Sequence, residues 1–550
     1  MYEEIFVLAA VLLITAAAVC HSAVQKKRLW RQRIHEKFGK VPKAGDWDEK
    51  EKARNYYEWM KEKGGEDWVD DITWNDLSMN QVFQRINSCD TSAGEEILYW
   101  RLRKNSITSE ESEALEKRAA IFTENEKARE DVEGLLSSIG KSASSYYIPA
   151  YMDAVEEYAI GKQWFFRALQ AVLAACLILL VVLRDSRAGF AAVGAAAVNL
   201  LIYTVLRMKY EIEMGMAGTA VNILERGRDI AGRREVQELF PELKKQIGRF
   251  RDVVRGSHFL QIQKTGMDTG DPLGLVFDYV LGATLLRITT YNKIIARMGR
   301  RAEEYMEIYR QIGELDAAVC IASFRRSLPR YCLPEFVKDK RMYMEEVCHP
   351  LVEEPVGNTL ELKRSCLITG SNASGKSTFI KAVAVNAILA QGIHTCEAAR
   401  FIMPPSKVIT SMAVKDDLMA GESYFIREIR YLRRILDSLD SDKTTICAID
   451  EILRGTNTGE RIRASRAILE YLKDRNCISL VATHDRELTE LLKEDYDNYH
   501  FSEEIGESDI CFTYKILPGP STSHNAVKLL EIAGFPAEII QASRKEHKNA

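Results

Sequence analysis

The chain has 550 residues, with 75 Lys and Arg against 79 Asp and Glu and a formal charge of −4. That length allows several domains and a large core, and the charge excludes the global basic excess of a protein that coats nucleic acid, though not a local basic face. Eleven cysteines stand singly from Cys20 to Cys511 with no C-x-x-C pair, which fits free buried thiols in a reducing compartment and argues against a disulfide framework or a zinc site.

Three apolar runs come first in chain order: Ile5 to Cys20, Ala168 to Leu183 and Ala188 to Leu206. With flanking residues each reaches the roughly 17–25 residues that cross a bilayer. The polar link Arg184-Asp185-Ser186-Arg187 makes the last two a helical hairpin. Glu3 and Glu4 precede the first run and Lys26, Lys27, Arg28, Arg31 and Arg33 follow it, so the positive-inside rule puts residue 24 onward in the cytoplasm. An acidic start is the wrong sign for a cleaved signal peptide, which favours an uncleaved anchor. The expected organisation is an N-terminal transmembrane anchor at 1–24, a basic and charged linker at 25–71, a helical region at 72–165, the hairpin at 166–207, a second helical region at 208–345 and an α/β domain at 346–550. Leu77, Val82, Ile86, Leu98, Leu102, Leu115 and Ile121 carry the helical period of the first helical region. Pro329 to Pro350 reads as a connector, and from Leu351 β-like runs alternate with helices.

The chemistry lies in that last segment. The apolar stretch Cys366-Leu367-Ile368 precedes Thr369-Gly370-Ser371-Asn372-Ala373-Ser374-Gly375-Lys376-Ser377-Thr378, and an amphipathic helix follows. Strand, then Gly-x4-Gly-Lys-Ser, then helix is the context of a loop that cradles phosphates with its backbone N–H groups. Lys376 is placed for the β- and γ-phosphates of ATP, and Ser377 offers its hydroxyl to Mg²⁺. A second apolar strand, Thr444 to Ile449, ends in Asp450-Glu451. Asp450 would hold the metal, and Glu451 would orient or deprotonate the attacking water. A third strand, Cys477 to Ala482, ends in Thr483-His484-Asp485, which sets His484 at the ligand edge of such a sheet, able to sense a γ-phosphate.

These segments together resemble the ATPase domain of the MutS family of DNA mismatch-repair proteins. Asn372 matches the asparagine of its T-G-x-N-x-x-G-K-S-T loop, and Asp450 to Thr458 (DEILRGTNT) is similar to its D-E-I-G-R-G-T-S-T segment. Asp416 to Phe425 (DDLMAGESYF) resembles D-D-L-x-x-G-x-S-T-F, Ala482-Thr483-His484 its A-T-H switch, and Gly534-Phe535-Pro536 with Ile539, Ile540 and Ala542 its closing dimerisation element. His349-Pro350-Leu351 stands where the family enters its ATPase domain, and Asp90 to Gly94 is a weaker match in the lever region. The resemblance implies an α/β P-loop NTPase of the ABC/MutS type, preceded by a mostly α-helical core and lever region that here carries three transmembrane helices. It implies a homodimer in which Ser423 reaches the γ-phosphate held by the opposite subunit. It also implies DNA binding and repair, for which Arg226, Arg228, Arg233, Arg234, Lys244 and Lys245 are the basic candidates. Tyr424 replaces the family's Thr and Leu453 a Gly, and residues 1–71 are too short for the family's mismatch-reading and connector domains. The expected location is the cell membrane, with the ATPase domain in the cytoplasm. The rival expectation is a membrane mechanoenzyme that acts on a membrane partner without DNA; a transporter subunit ranks last, since no L-S-G-G-Q segment is present.

Overall fold

A computed structural model describes residues 25, 28, 30–42, 52–65, 67–183, 185–256, 279–371, 374–412, 424–505, 510–521 and 534–540. The expected first span, Ile5 to Cys20, and the Asp416–Ser423 part of the signature segment lie outside them. The chain divides into two compact units, one of residues 1–65, 87–100 and 114–327, the other of residues 66–86, 101–113 and 328–550.

The first unit is helical. Its principal helices are α1 (Glu126–Ile139), α2 (Gln163–Leu183), α3 (Ser186–Lys209), α4 (Glu211–Ile230), α5 (Leu286–Gly299) and α6 (Ala302–Ser327). Helix α6 starts on Glu303 and Glu304 and ends on Arg325 and Arg326, each sign complementing its end of the helix dipole. The Asp90–Gly94 segment meets this helix: the buried Asp316 carboxylate accepts from the N–H groups of Asp90 and Thr91 and from the Thr91 hydroxyl. Helices α2 and α3 form the hairpin, with Asp185 capping α3 by accepting from the Arg187 N–H at 3.0 Å. Both are long and apolar enough to cross a membrane, and they are the two such helices among the described residues. Their outer faces are open, with Val181 74% and Phe190 79% exposed.

The second unit holds ten described strands: β1 (Glu335–Phe336), β2 (Met342–Val347), β3 (Asn358–Leu362), β4 (Cys366–Thr369), β5 (Arg400–Met403), β6 (Ser406–Ser411), β7 (Thr444–Asp450), β8 (Cys477–Ala482), β9 (Asp497–Ile505) and β10 (Ile510–Pro518). One sheet runs β1-β5-β2-β3 and the other β10-β9-β4-β8-β7-β6. In the larger sheet only β10 is antiparallel to its neighbour. Strands β4, β7 and β8 are buried at every position, the continuous apolar signature of a parallel sheet covered on both faces. Helix α7 (Lys376–Ile393) packs on that sheet, as do α8 (Tyr424–Asp437) and α9 (Thr458–Lys473).

Two features differ from the sequence expectation. The connector read at Pro329–Pro350 contains β1 and β2, which pair with β5 and β3. Residues 66–86 and 101–113 group with the sheet domain, and edge strand β6 shows why. Its outward N–H groups at Val408 and Thr410, and that of Met412 just beyond its end, donate to Asn105, Thr73 and Asp76. An edge strand left bare is a template for unwanted pairing; side chains from these two segments close it.

Candidate functional site

Strand order β4-β8-β7 sets three C-terminal strand ends side by side, the edge at which parallel α/β sheets bind ligands. Register fixes their level: Ile368 pairs with Ala482, and Ala482 with Asp450. The Thr483 N–H donates to the Ile368 carbonyl at 3.0 Å, and the Glu451 N–H to the Ala482 carbonyl at 3.0 Å.

The described residues of the loop after β4 are closely held. Gly370 has φ +141°, and a β-carbon there would lie 2.7 Å from the Phe501 carbonyl oxygen, so the position requires glycine. Gly375, at φ +104°, opens helix α7. Ser374 donates its hydroxyl to the Ser371 carbonyl at 2.8 Å, and Ser371 donates to Glu503 at 3.2 Å. The Lys376 ammonium, on a side chain only 3% exposed, donates to the carbonyls of Gly370 at 2.7 Å and Ser371 at 2.6 Å. Burial lowers its pKa, against the pull of Asp450, Glu451 and Glu503. Ser377 is half-buried and Thr378 exposed at the first turn of α7. Asn372 and Ala373 lie outside the described residues.

At the end of β7, Asp450 is buried and Glu451 turns into the left-handed region, φ +67°. One Glu451 oxygen lies 3.1 Å from His484 Nε2 and the other 2.5 Å from Arg454 Nε. Arg454 also lies 3.9 Å from Asp450. Burial pushes the Glu451 carboxyl up, but the His484 hydrogen bond and the Arg454 charge outweigh it and hold it below the usual carboxylate range. Lys376, Asp450, Glu451 and His484 therefore lie at one edge of the sheet. Ser423 lies outside the described residues.

Sequence reasoning missed four parts of this site. Arg454 sits within a quoted motif but was given no role. Glu428, on α8 and 7% exposed, accepts from the N–H groups of Arg454 at 3.2 Å and Gly455 at 3.3 Å, so it holds the turn that aims Arg454. Asp485 takes Arg461 in a two-pronged pair at 2.8 and 2.5 Å, bracing the segment that carries His484. Finally, a cavity of about 500 Å³ opens beside the loop, lined by His349, Val352, Pro355, Ser377, Phe501 and Tyr514 among others. Burial holds the His349 imidazole down to about 4, with the Lys381 charge adding to the effect. The neutral ring accepts the Leu351 N–H at 3.2 Å. Apart from the loop residue Ser377, only His349-Pro350-Leu351 hinted at this region, and only through the resemblance.

Four of the six basic candidates of the helical unit stand in ion pairs. Arg228 pairs with Asp229, Arg233 with Asp131, Arg234 with Glu238 and Lys245 with Glu242.

Residues 366–550 match the family model of MutS domain V. The DNA mismatch repair protein MutS of Thermus thermophilus is 32% identical over 255 residues, 45% of this chain and 31% of that protein. The MutS of Pseudothermotoga lettingae is 30% identical over 267 residues, 46% of this chain and 32% of that one. The MutS of Clostridium kluyveri is 30% identical over 287 residues, 49% and 33%. The aligned part thus spans about a third of the length of these relatives.

Proposed function

The chain is a MutS-family protein through its C-terminal domain, and from that premise we propose that it binds and hydrolyses ATP as a membrane-anchored dimer. The observation that carries the reading is the convergence of Lys376, Asp450, Glu451 and His484 on three adjacent strand ends.

Residues 370–371 and 374–378 offer the right chemistry for a phosphate cradle: a glycine at 370 where a β-carbon has no room, a glycine at 375 in the left-handed region, and an ammonium already held against the loop carbonyls. Lys376 would exchange those carbonyls for phosphate oxygens, and the adjoining cavity would take the nucleoside. Ser377 and Asp450 are a hydroxyl and carboxylate pair suited to Mg²⁺, which when bound neutralises phosphate charge. Glu451, kept ionised by His484 and Arg454, orients the attacking water or accepts its proton, and His484 helps to hold the Glu451 carboxylate in place. Ser423 is assigned to the γ-phosphate held by the partner subunit. Dimerisation is supported by Phe535 and Ile539, both 46% exposed on the closing segment.

A role in DNA mismatch repair comes from the names of the relatives, and mismatched or branched DNA is the substrate proposed with it. A second reading, a mechanoenzyme that delivers its ATP-driven motion to a membrane partner, is favoured by the open apolar hairpin and by the ion pairing of the basic candidates. Lys376→Ala is expected to abolish ATP hydrolysis in the detergent-solubilised full chain; retained turnover sinks the site. Salt-sensitive binding of heteroduplex or branched DNA supports the DNA reading, and no DNA response at low salt favours the membrane role.

A further inference from the structure

The hairpin does not stand alone. Residues 279–283 form a helical segment beside it, and the helix breaks at Thr284–Leu285 before α5 begins. Leu285 makes the break by entering the left-handed region, φ +51°. Such a break strips backbone carbonyls of their helical donors, and in hydrocarbon they must find others. Here they do, from the hairpin itself. Asn199 of α3 donates its side-chain amide to the Ala283 carbonyl at 2.9 Å. Gln170 of α2 donates to the Thr284 carbonyl at 2.8 Å and lies 3.4 Å from the Thr289 hydroxyl. Arg287 donates to the Tyr203 hydroxyl at 2.8 Å, with both side chains 2% exposed.

These donors explain otherwise costly residues, since Asn199 is 1% exposed within a helix apolar enough to cross a membrane. Close approach is built in as well. A β-carbon on Gly282 would lie 2.4 Å from the Tyr203 ring and 3.1 Å from Leu200, so only glycine lets the segment reach α3. Depth follows from helix rise: Gln170 is seven residues into α2, about 10 Å along it, and Asn199 ten residues from the end of α3, about 15 Å. Trp164 (67% exposed), Phe165, Lys162, Arg207 and Lys209 mark the end from which those depths are counted, aromatic and cationic groups that suit a membrane interface. Outward from the contact, Tyr279 and Val280 are 61% and 53% exposed, apolar side chains continuous with the open hairpin.

We propose that residues 279–285 are a further membrane-embedded element beside the hairpin, a broken helix whose outer face, Tyr279 and Val280, contacts lipid acyl chains while its freed carbonyls are capped by Gln170 and Asn199. The proposal rests on the reading of the hairpin as membrane-inserted. The test is the full chain reconstituted in phosphatidylcholine vesicles bearing an acyl-chain diazirine, photolysed and mapped by mass spectrometry. Adducts are expected at Val181 and Phe190 of the hairpin and also at Tyr279 and Val280. Hairpin adducts with none at Tyr279 or Val280 overturn this proposal and leave the inserted hairpin standing; none at either place overturns both. In the double variant Gln170→Leu with Asn199→Leu, labelling at Tyr279 and Val280 should fall several-fold with the Val181 yield unchanged, and undiminished labelling refutes the capping.

Discussion

Leu453 occupies a position where the MutS-like pattern has glycine, and its backbone accounts for the pattern: φ is +58°, in the left-handed region. Holding an L-residue there costs roughly 1–2 kcal/mol. The side chain returns more than that, since Leu453 is 6% exposed in a cluster with Leu432, Ile435, Ile449 and Ile462. Truncating a buried leucine to alanine costs about 3–5 kcal/mol. Leu453→Ala keeps the β-carbon and hence the strain while losing that packing, so a local destabilisation of about 3 kcal/mol or more is expected. Leu453→Gly loses the same packing but releases the strain. Elsewhere in a helix or strand glycine is roughly 0.5–1 kcal/mol worse than alanine; here the order should invert, the glycine variant being about 1 kcal/mol the more stable of the two. Both should remain below the parent. Hydrogen exchange of the β7 amides under native conditions reads this local stability without assuming that the two units unfold together. A glycine variant that exchanges faster than the alanine variant would refute the reasoning.

Three further outcomes follow from the same geometry. Glu428→Ala strips the acceptor from the Arg454 and Gly455 N–H groups; local stability should fall by about 1–3 kcal/mol, and ATPase kcat should drop with KM little changed, whereas an unaltered kcat would remove Glu428 from the site. For His349 the folded imidazole refuses a proton until about pH 4, while the unfolded chain accepts one near 6.5. The unfolded state therefore binds more protons between those values, and stability is fully present above pH 6.5 and lost as pH falls towards 4, by about 3 kcal/mol at most. His349→Gln should flatten that part of the denaturation profile, and an unchanged slope counts against the assignment. Gly94→Ala would put a β-carbon 2.2 Å from an Asp316 oxygen. A loss of roughly 1–3 kcal/mol is expected from such overpacking, and an unshifted melting temperature would show that the Asp316 contact is not tight.

What could be read from the sequence followed physical rules that act locally. Cys366–Ile368, Ile446–Ile449 and Cys477–Ala482 are apolar runs because parallel strands covered on both faces have no polar side. Their ends carry the proposed chemistry because parallel α/β sheets bind ligands at that edge, so strand and motif point to each other. The grouping of residues 66–86 and 101–113 with the sheet domain was not legible. Helical periodicity at Val82 and Ile86 says that a face is buried, not against what, and the contacts that decide it join Asn105 to Val408 and Thr73 to Thr410, 303 and 337 positions apart. Strands β1 and β2 escaped notice because they are short and carry Glu335, Glu345 and Glu346, so neither composition nor period distinguishes them from a loop.

Glu428 shows the same limit at the site. It lies on a helix crowded with Arg427, Arg430, Arg433 and Arg434 and looks like one more solvated charge. Only the fold reveals that its carboxylate is buried on two backbone N–H groups. The strained backbone is the converse case. Two left-handed non-glycine residues, Glu451 and Leu453, within three positions break the local rule that such conformations go to glycine. Strain of this kind persists where the surroundings over-determine it. Here they do so from four sides: the ladder to Ala482, His484 and Arg454 on the carboxylate, Glu428 on the following turn, and the apolar cluster on Leu453. A carboxylate that must meet water at one defined point needs that over-determination, so the place where local sequence preference fails is also where the proposed chemistry is concentrated.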